Sequence, residues 1–140
     1  MIILDTNVLS ELLRPAPDPN VLAWMDSWPA DELATTAVSA AELWHGVARL
    51  PDGRRKTALA YVIDAMVEED LRDRVEAFDV HAAARFAEIA ADRARQGRPI
   101  AVSDGQIAAI CHTRGAALAT RNTKDFVDTG IEVIDPWANR

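Results

Sequence analysis

The chain begins with four consecutive apolar residues, "MIIL", and breaks at once into Asp5-Thr6-Asn7. A short continuous run with adjacent β-branched residues predicts a strand buried on both faces. Val8, Leu9, Leu12 and Leu13 then recur at helical spacing until "RPAPDP" stops them. "NVLAWMDSW" predicts a second short helix ending near Pro29, and "ELATTAVS" a strand centred on Leu33 to Thr36. Helical patterns follow from Ser39 to about Leu50, where "PDG" intervenes, and from Arg54 to about Glu69. "VEAF" predicts a strand, Val80 to Gln96 an Ala-rich helix closed by "GRP", and Ser103 to Arg114 a helix stopped by Gly115. "ALAT" and "IEVI" supply the last two strands. Strands alternating with helices predict an α/β chain, a three-layer α/β/α sandwich around a mainly parallel central sheet. No stretch has linker composition, so residues 1–140 are expected to form one domain.

In open α/β sheets, ligands bind outside the carboxyl ends of the strands. Asp5 follows "MIIL", Glu42 lies in the first turn of the helix after "LATT", Asp104 opens the helix at Ser103, and Asn122 and Asp125 follow "ALATR". Four carboxylates, Asp5, Glu42, Asp104 and Asp125, can thereby converge on one edge of the sheet. Each also has a plain structural reading. Ser39-Ala40-Ala41-Glu42 and Ser103-Asp104-Gly105-Gln106 have the form of capping boxes. Asp5 or Thr6, and Asn122, are residue types that cap helices. Periodicity sets Glu42, His45 and Arg49 opposite an apolar stripe of Ala40, Leu43, Trp44 and Val47. Asp104 instead shares a face with Ile107, Ala108 and Cys111.

A partly buried carboxylate requires hydrogen-bond donors or a cation. Several in one pocket repel, and without a cation some are driven to take protons. Mg²⁺ and Mn²⁺ prefer oxygen ligands, often one or two carboxylates completed by water and substrate phosphate. Such an ion also makes bound water a better nucleophile near neutral pH. Thr6, Asn7, Thr120 and Asn122 are suited to orienting those groups through hydrogen bonds.

The net charge of −7 counts against a general nucleic-acid coat, yet suits metal-bridged phosphate chemistry or a basic protein partner. The lone Cys111 rules out an internal disulfide and a multi-cysteine metal site, as expected of a cytoplasmic protein. No signal-peptide pattern opens the sequence, and no apolar run approaches the roughly 20 residues that span a bilayer. Trp24, Trp28 and Trp44 read as core, with an interface as the alternative. Glu42-Leu43-Trp44-His45 is an E-x-x-H pair with no second copy, so a di-iron bundle is set aside. "DTN" after a strand partly matches the D-x-D of aspartate-nucleophile phosphatases, but Asn7 replaces the second acid. Common serine-hydrolase, dinucleotide and P-loop motifs are absent.

"MIILDTNVLSELLR", "SAAELWHGVARLPDGRRK", "AVSDGQIAA" and "ATRNTKDF", taken in order, resemble the PIN-domain ribonucleases. The likeness is greatest to VapC-type toxins of bacterial toxin–antitoxin pairs, especially the FitB-like subset. It runs over nearly the whole chain, ending at "VIDPW". The resemblance implies a Rossmann-like fold and an endoribonuclease using Mg²⁺ or Mn²⁺. Carried over by position, Asp5 and Asp104 are the main metal ligands and Glu42 completes the acidic cluster. Many relatives have Asp directly after the Thr-Arg of the last block, where this chain has Asn122; Asp125 stands three residues on. Arg14, Arg121 and Lys124 flank these positions and suit RNA phosphates. The resemblance further implies a homodimer and a small antitoxin that brings a basic residue to the acidic pocket. A catalytically silent binding module with the same fold is the alternative.

Overall fold

The computed structural model describes residues 1–138. Its strands are β1 (Ile2–Leu4), β2 (Leu33–Thr36), β3 (Val75–Glu76), β4 (Ala117–Ala119) and β5 (Val133–Ile134). They form one sheet in the order β3-β2-β1-β4-β5, and every pairing is parallel. The sequence therefore underestimated the regularity: the sheet is parallel throughout, not mainly so.

β1 lies at the centre, and its apolar run is divided between two cores. Ile2 and Leu4 face α1 (Thr6–Leu12), α2 (Pro19–Asp26), α3 (Ala37–Ala48) and α4 (Arg54–Ala65) through Val8, Leu9, Val21, Leu43, Val47 and Ile63. Ile3 points the other way, to α5 (Val80–Arg95) and α6 (Val102–Arg114) through Ala82, Ile89, Ile107 and Ile110. Alternation along a strand thus builds both outer layers from three adjacent residues. The fold is an α/β/α sandwich, as the pattern implied.

Several element boundaries correct the sequence reading. α3 starts at Ala37, because extended Thr36 turns its hydroxyl to accept the Ser39 amide at 3.0 Å. Thr36 takes the cap, so the expected Ser39–Glu42 capping box does not form, and Glu42 sits beyond the first turn. α6 starts at Val102 with Ala101 at its cap position and no side-chain cap bond, so the second expected box is also missing. Asn122 holds the cap position of the 3₁₀ turn Thr123–Phe126 without a capping side-chain bond. Trp44 leaves the apolar stripe: it is 38% exposed, and its indole N–H donates to Asp64 at 2.8 Å. Trp28 is likewise on the surface. Periodicity marks a face and cannot say how far a large ring overhangs its edge.

Other signals held closely. The helix from Arg54 continues past Ala65 as a π-helical turn, Met66–Asp70. Gly115 ends α6 at φ +61°, a left-handed conformation that glycine adopts without the Cβ clash. Cys111 is fully buried in the core beside Ile107 and Ile110.

Candidate active site

β1 and β4 are neighbours, yet β2 and β3 extend from β1 while β5 extends from β4. The winding reverses between β1 and β4, where an open parallel sheet leaves a crevice at its carboxyl edge. Asp5 and Thr120 are the residues immediately beyond those two strands. The Asp5 amide donates to the Ala119 carbonyl at 2.9 Å, which extends the ladder and brings the two side chains together. Thr120 Oγ1 then donates to Asp5 Oδ2 at 2.8 Å, and the Thr6 amide to Asp5 Oδ1 at 2.8 Å. Asp5 is therefore the cap of α1 and a buried site carboxylate at once; the two readings of it are compatible.

Asn7 and Asn122 tie the same corner. Asn7 Nδ2 donates to Thr120 Oγ1 at 3.1 Å, and Asn7 Oδ1 accepts the Arg121 amide at 3.2 Å. The Asn122 amide also donates to Thr120 Oγ1, at 3.1 Å. The small polar residues after β1 and β4 thus form one network whose charged acceptor is Asp5. Thr6 serves a different acid: its hydroxyl donates to Glu42 Oε1 at 2.6 Å.

A cavity of about 520 Å³ is lined by Asp5, Thr6, Asn7, Glu42, Asp104 and Asn122, together with Glu11, Arg14, Arg121 and Trp137. Asp5 from the end of β1, Glu11 from α1, Glu42 from α3 and Asp104 from α6 therefore border one space. Asp125 is half-buried and does not line the cavity, although its charge bears on both Asp5 and Asp104. Lys124 is exposed and also stands outside the lining.

The electrostatics of this space favour cations. Burial raises the Asp5 carboxyl above its ordinary range; hydrogen bonds from Thr120 and Thr6 oppose this, and the charges of Glu42 and Asp125 add to it. Asp104 is pushed up to about 6, chiefly by burial and then by the charges of Asp5, Asp125 and Glu42, with Arg93 pulling the other way. By contrast, burial lifts the Cys111 thiol to about 12, which leaves no thiolate for chemistry.

Among the described residues, no group of three or more His, Cys, Asp or Glu side chains is placed to hold a metal ion together. The donors are carboxylate, hydroxyl and amide oxygens around an open cavity. That set fits a hard divalent ion bound by one or two carboxylates and completed by water or phosphate.

Three side chains that shape the site were missed in the sequence. Glu11 is buried at the cavity wall, where it accepts the Asp18 amide at 2.9 Å and pairs with Arg14 at 3.2 Å. Its signal was the spacing of Asn7, Glu11 and Arg14 between the apolar Val8, Leu9, Leu12 and Leu13. Arg93 is buried and donates to the carbonyls of Arg98, Asp125 and Val127 at 2.8, 3.0 and 3.0 Å. Trp137 lies under the Arg121 guanidinium, 5.1 Å from its ring centre. Nothing local announced either of these, because their partners lie far away in the chain.

Beside the acid cavity runs a larger groove of about 680 Å³ between α1, α3 and α4, sharing Thr6, Ser10, Arg14 and Glu42 with it. Leu13, Leu43, Val47, Leu59 and Val62 give the groove an apolar wall.

Comparison with known proteins places this geometry among relatives. The family model described as PIN domain matches residues 2–132. The VapC ribonuclease Y4jK of Sinorhizobium fredii is 39% identical over 137 residues, covering 98% of each chain. Toxin FitB of Neisseria gonorrhoeae is 38% identical, covering 98% of this chain and 99% of its own. A solved structure of FitAB bound to an IR36 DNA fragment superposes with a TM-score of 0.93 at 36% identity, covering 100% of this chain and 98% of that one.

Proposed function

The chain belongs to the PIN-domain family, and from that premise we propose that it is a divalent-metal-dependent endoribonuclease, the toxin of a type II toxin–antitoxin pair. The whole chain of 140 residues is read as a single PIN domain. The observation that carries the reading is the one cavity bordered by Asp5, Glu42 and Asp104, where burial and then mutual repulsion hold Asp104 at about 6. Relatives named as a ribonuclease and as a toxin support it.

In this proposal Asp5 and Asp104 hold Mg²⁺ or Mn²⁺. When bound, the ion supplies charge compensation, a more acidic water and stabilisation of the leaving oxygen. Glu42, held by Thr6, orients the attacking water. Thr120 and Asn7 fix the Asp5 carboxylate so that its oxygens do not have to reorganise during the reaction. Asp125 is the fourth acid and acts through its charge, while Asn122 keeps Thr120 in place. Arg14 and Arg121 receive RNA phosphates, which the net negative charge of the chain would otherwise repel. Water adds to phosphorus and the bond to the leaving ribose oxygen breaks.

The partner is proposed to be a small antitoxin, whose apolar segment seats in the groove between α1, α3 and α4 and whose basic side chain reaches the acids. The solved FitAB complex supports a protein partner, and a homodimer and a cytoplasmic location are proposed with it. Among the described residues no helix is long and apolar enough to cross a membrane. A phosphatase that forms a phospho-aspartate is disfavoured, since the second acid it needs is Asn7, whose amide is already engaged by Thr120 and Arg121.

The test compares RNA cleavage by wild type and Asp5→Asn with Mg²⁺, Mn²⁺ or EDTA. Cleavage is expected in wild type with either metal and is expected to vanish with EDTA or the substitution. Undiminished cleavage under both conditions would overturn the mechanism, and a silent binding module would show none in any arm.

A further inference from the structure

We propose that Arg121 and Trp137 form a nucleobase-stacking subsite at the rim of the acid cavity, taking one unpaired base of single-stranded RNA beside the scissile phosphate. The inference rests on the ribonuclease reading above and adds how the substrate is registered.

Both residues line the acid cavity, and the guanidinium carbon of Arg121 lies 5.1 Å from the indole centre. The platform is fixed from below. Trp137 packs against the core formed with β1 and α1 and follows the buried Pro136 in a 3₁₀ turn. Its amide donates to Asp135 Oδ1 at 2.9 Å, and its carbonyl accepts Asn20 Nδ2 from α2 at 3.1 Å. Arg121 is held at its root, where its amide donates to Asn7 Oδ1 at 3.2 Å. The indole is thus anchored, and the exposed Arg121 side chain rests on it.

A fully solvated arginine gains little from covering a tryptophan at a rim. A base gains more, because every base offers a π-face to aromatic rings and guanidinium planes. The charge of Arg121 also answers the phosphate adjoining the stacked base. In A-form duplexes the bases are already stacked on one another, so this subsite selects unpaired RNA. The acids and the stack share one cavity wall, and one stacked nucleotide therefore sets which phosphate meets Asp5 and Asp104.

The test is single-turnover cleavage, with Mn²⁺, of a short single-stranded RNA and of the same RNA carrying an abasic nucleotide at each position in turn. With wild type, one abasic position is expected to raise the half-saturating RNA concentration roughly 5- to 150-fold, the range found when stacked aromatics are truncated. Trp137→Ala should raise it similarly on intact RNA and add nothing further on that one abasic RNA. Arg121→Ala should couple to the same position, and Trp137→Phe should stay within a few-fold of wild type. A flat abasic scan with wild type overturns the proposal without any variant. So does a Trp137→Ala penalty that is equal on intact and abasic RNAs, which would mark Trp137 as structural only. If wild type cleaves a folded RNA but no single-stranded RNA, this inference alone fails; if it cleaves neither, the ribonuclease reading fails and this inference falls with it.

Discussion

Thr6 Oγ1 donates a 2.6 Å hydrogen bond to Glu42 Oε1, joining the first residue of α1 to a glutamate on α3, 36 positions away. Sequence pattern left Glu42 either capping its own helix or facing solvent. Glu42 is exposed, as the periodicity implied, and the Thr6 hydroxyl pins one of its carboxylate oxygens beside the cavity that both residues line. Thr6→Val should lower RNA cleavage about 10- to 100-fold, the usual effect of losing a residue that orients a site ligand. Thr6→Ser should retain most activity, and thermal melting should move little in either variant. Undiminished cleavage by Thr6→Val would show that the hydroxyl does not matter.

Repulsion among the acids predicts a metal-dependent gain in stability. Millimolar Mn²⁺ should raise the melting temperature of wild type by about 5–10 °C if it reaches a hundredfold excess over Kd. Asp104→Ala should abolish that rise. A variant with the full shift would remove Asp104 from the ligand set.

The raised Asp104 group gives a pH dependence of defined sign. Its folded value of about 6 lies above the ordinary 3.8, so the folded protein binds this proton more tightly than the unfolded chain does. The resulting stability is complete below pH 4 and is lost as pH rises through 6. In metal-free buffer at pH 7, Asp104→Asn should therefore be more stable than wild type by about 1–2 kcal/mol, a figure discounted for solvent screening at this half-exposed group. The difference should disappear near pH 4, and adding Mn²⁺ should favour wild type. Denaturant titrations at the two pH values check the sign, and a constant difference would refute it.

Gly105 follows Asp104 where α6 presses against α5. A Cβ there would lie 2.8 Å from Phe86 Cε1 and 3.0 Å from Cδ1, and Phe86 is itself packed edge-on against Phe78 at 6.0 Å. Gly105→Ala should cost about 1–3 kcal/mol through overpacking. Activity should fall further than stability alone explains, because the shift moves the turn that carries Asp104. Comparing denaturant midpoints with cleavage rates at low temperature separates the two effects.

Arg93 anchors three backbone carbonyls, two of them in the segment from Asp125 to Val127. Arg93→Ala should lose about 1–3 kcal/mol, since part-buried carbonyls that had a charged donor are left without one. Arg93→Lys should recover only part of this, because an ammonium lacks the planar fork that reaches both chain segments. Urea unfolding of the three proteins tests that order.

The apolar runs "MIIL" and "ELATTAVS", the breaks at "RPAPDP" and "PDG" and the glycine stop at Gly115 were enough to lay out the layers. Each signal acts within a few residues: a strand alternates its faces, and a proline or a glycine acts on its own backbone. The acids after the strands were legible for the same reason, since a parallel sheet sends all its carboxyl ends to one edge. Helix starts were less secure. Thr36 and Ser39 are both good caps, and only the extended backbone at Thr36 chose between them. The partners of Glu42, Glu11, Arg93 and Trp137 could not be read from the chain. Glu42 is held from α1, Arg93 reaches the loop after β4, and Trp137 meets Arg121 only because β4 and β5 lie side by side. Local chemistry names which residues can carry charge or cap a turn. Which of them touch is set by chain crossings, and those exist only once the sheet has assembled.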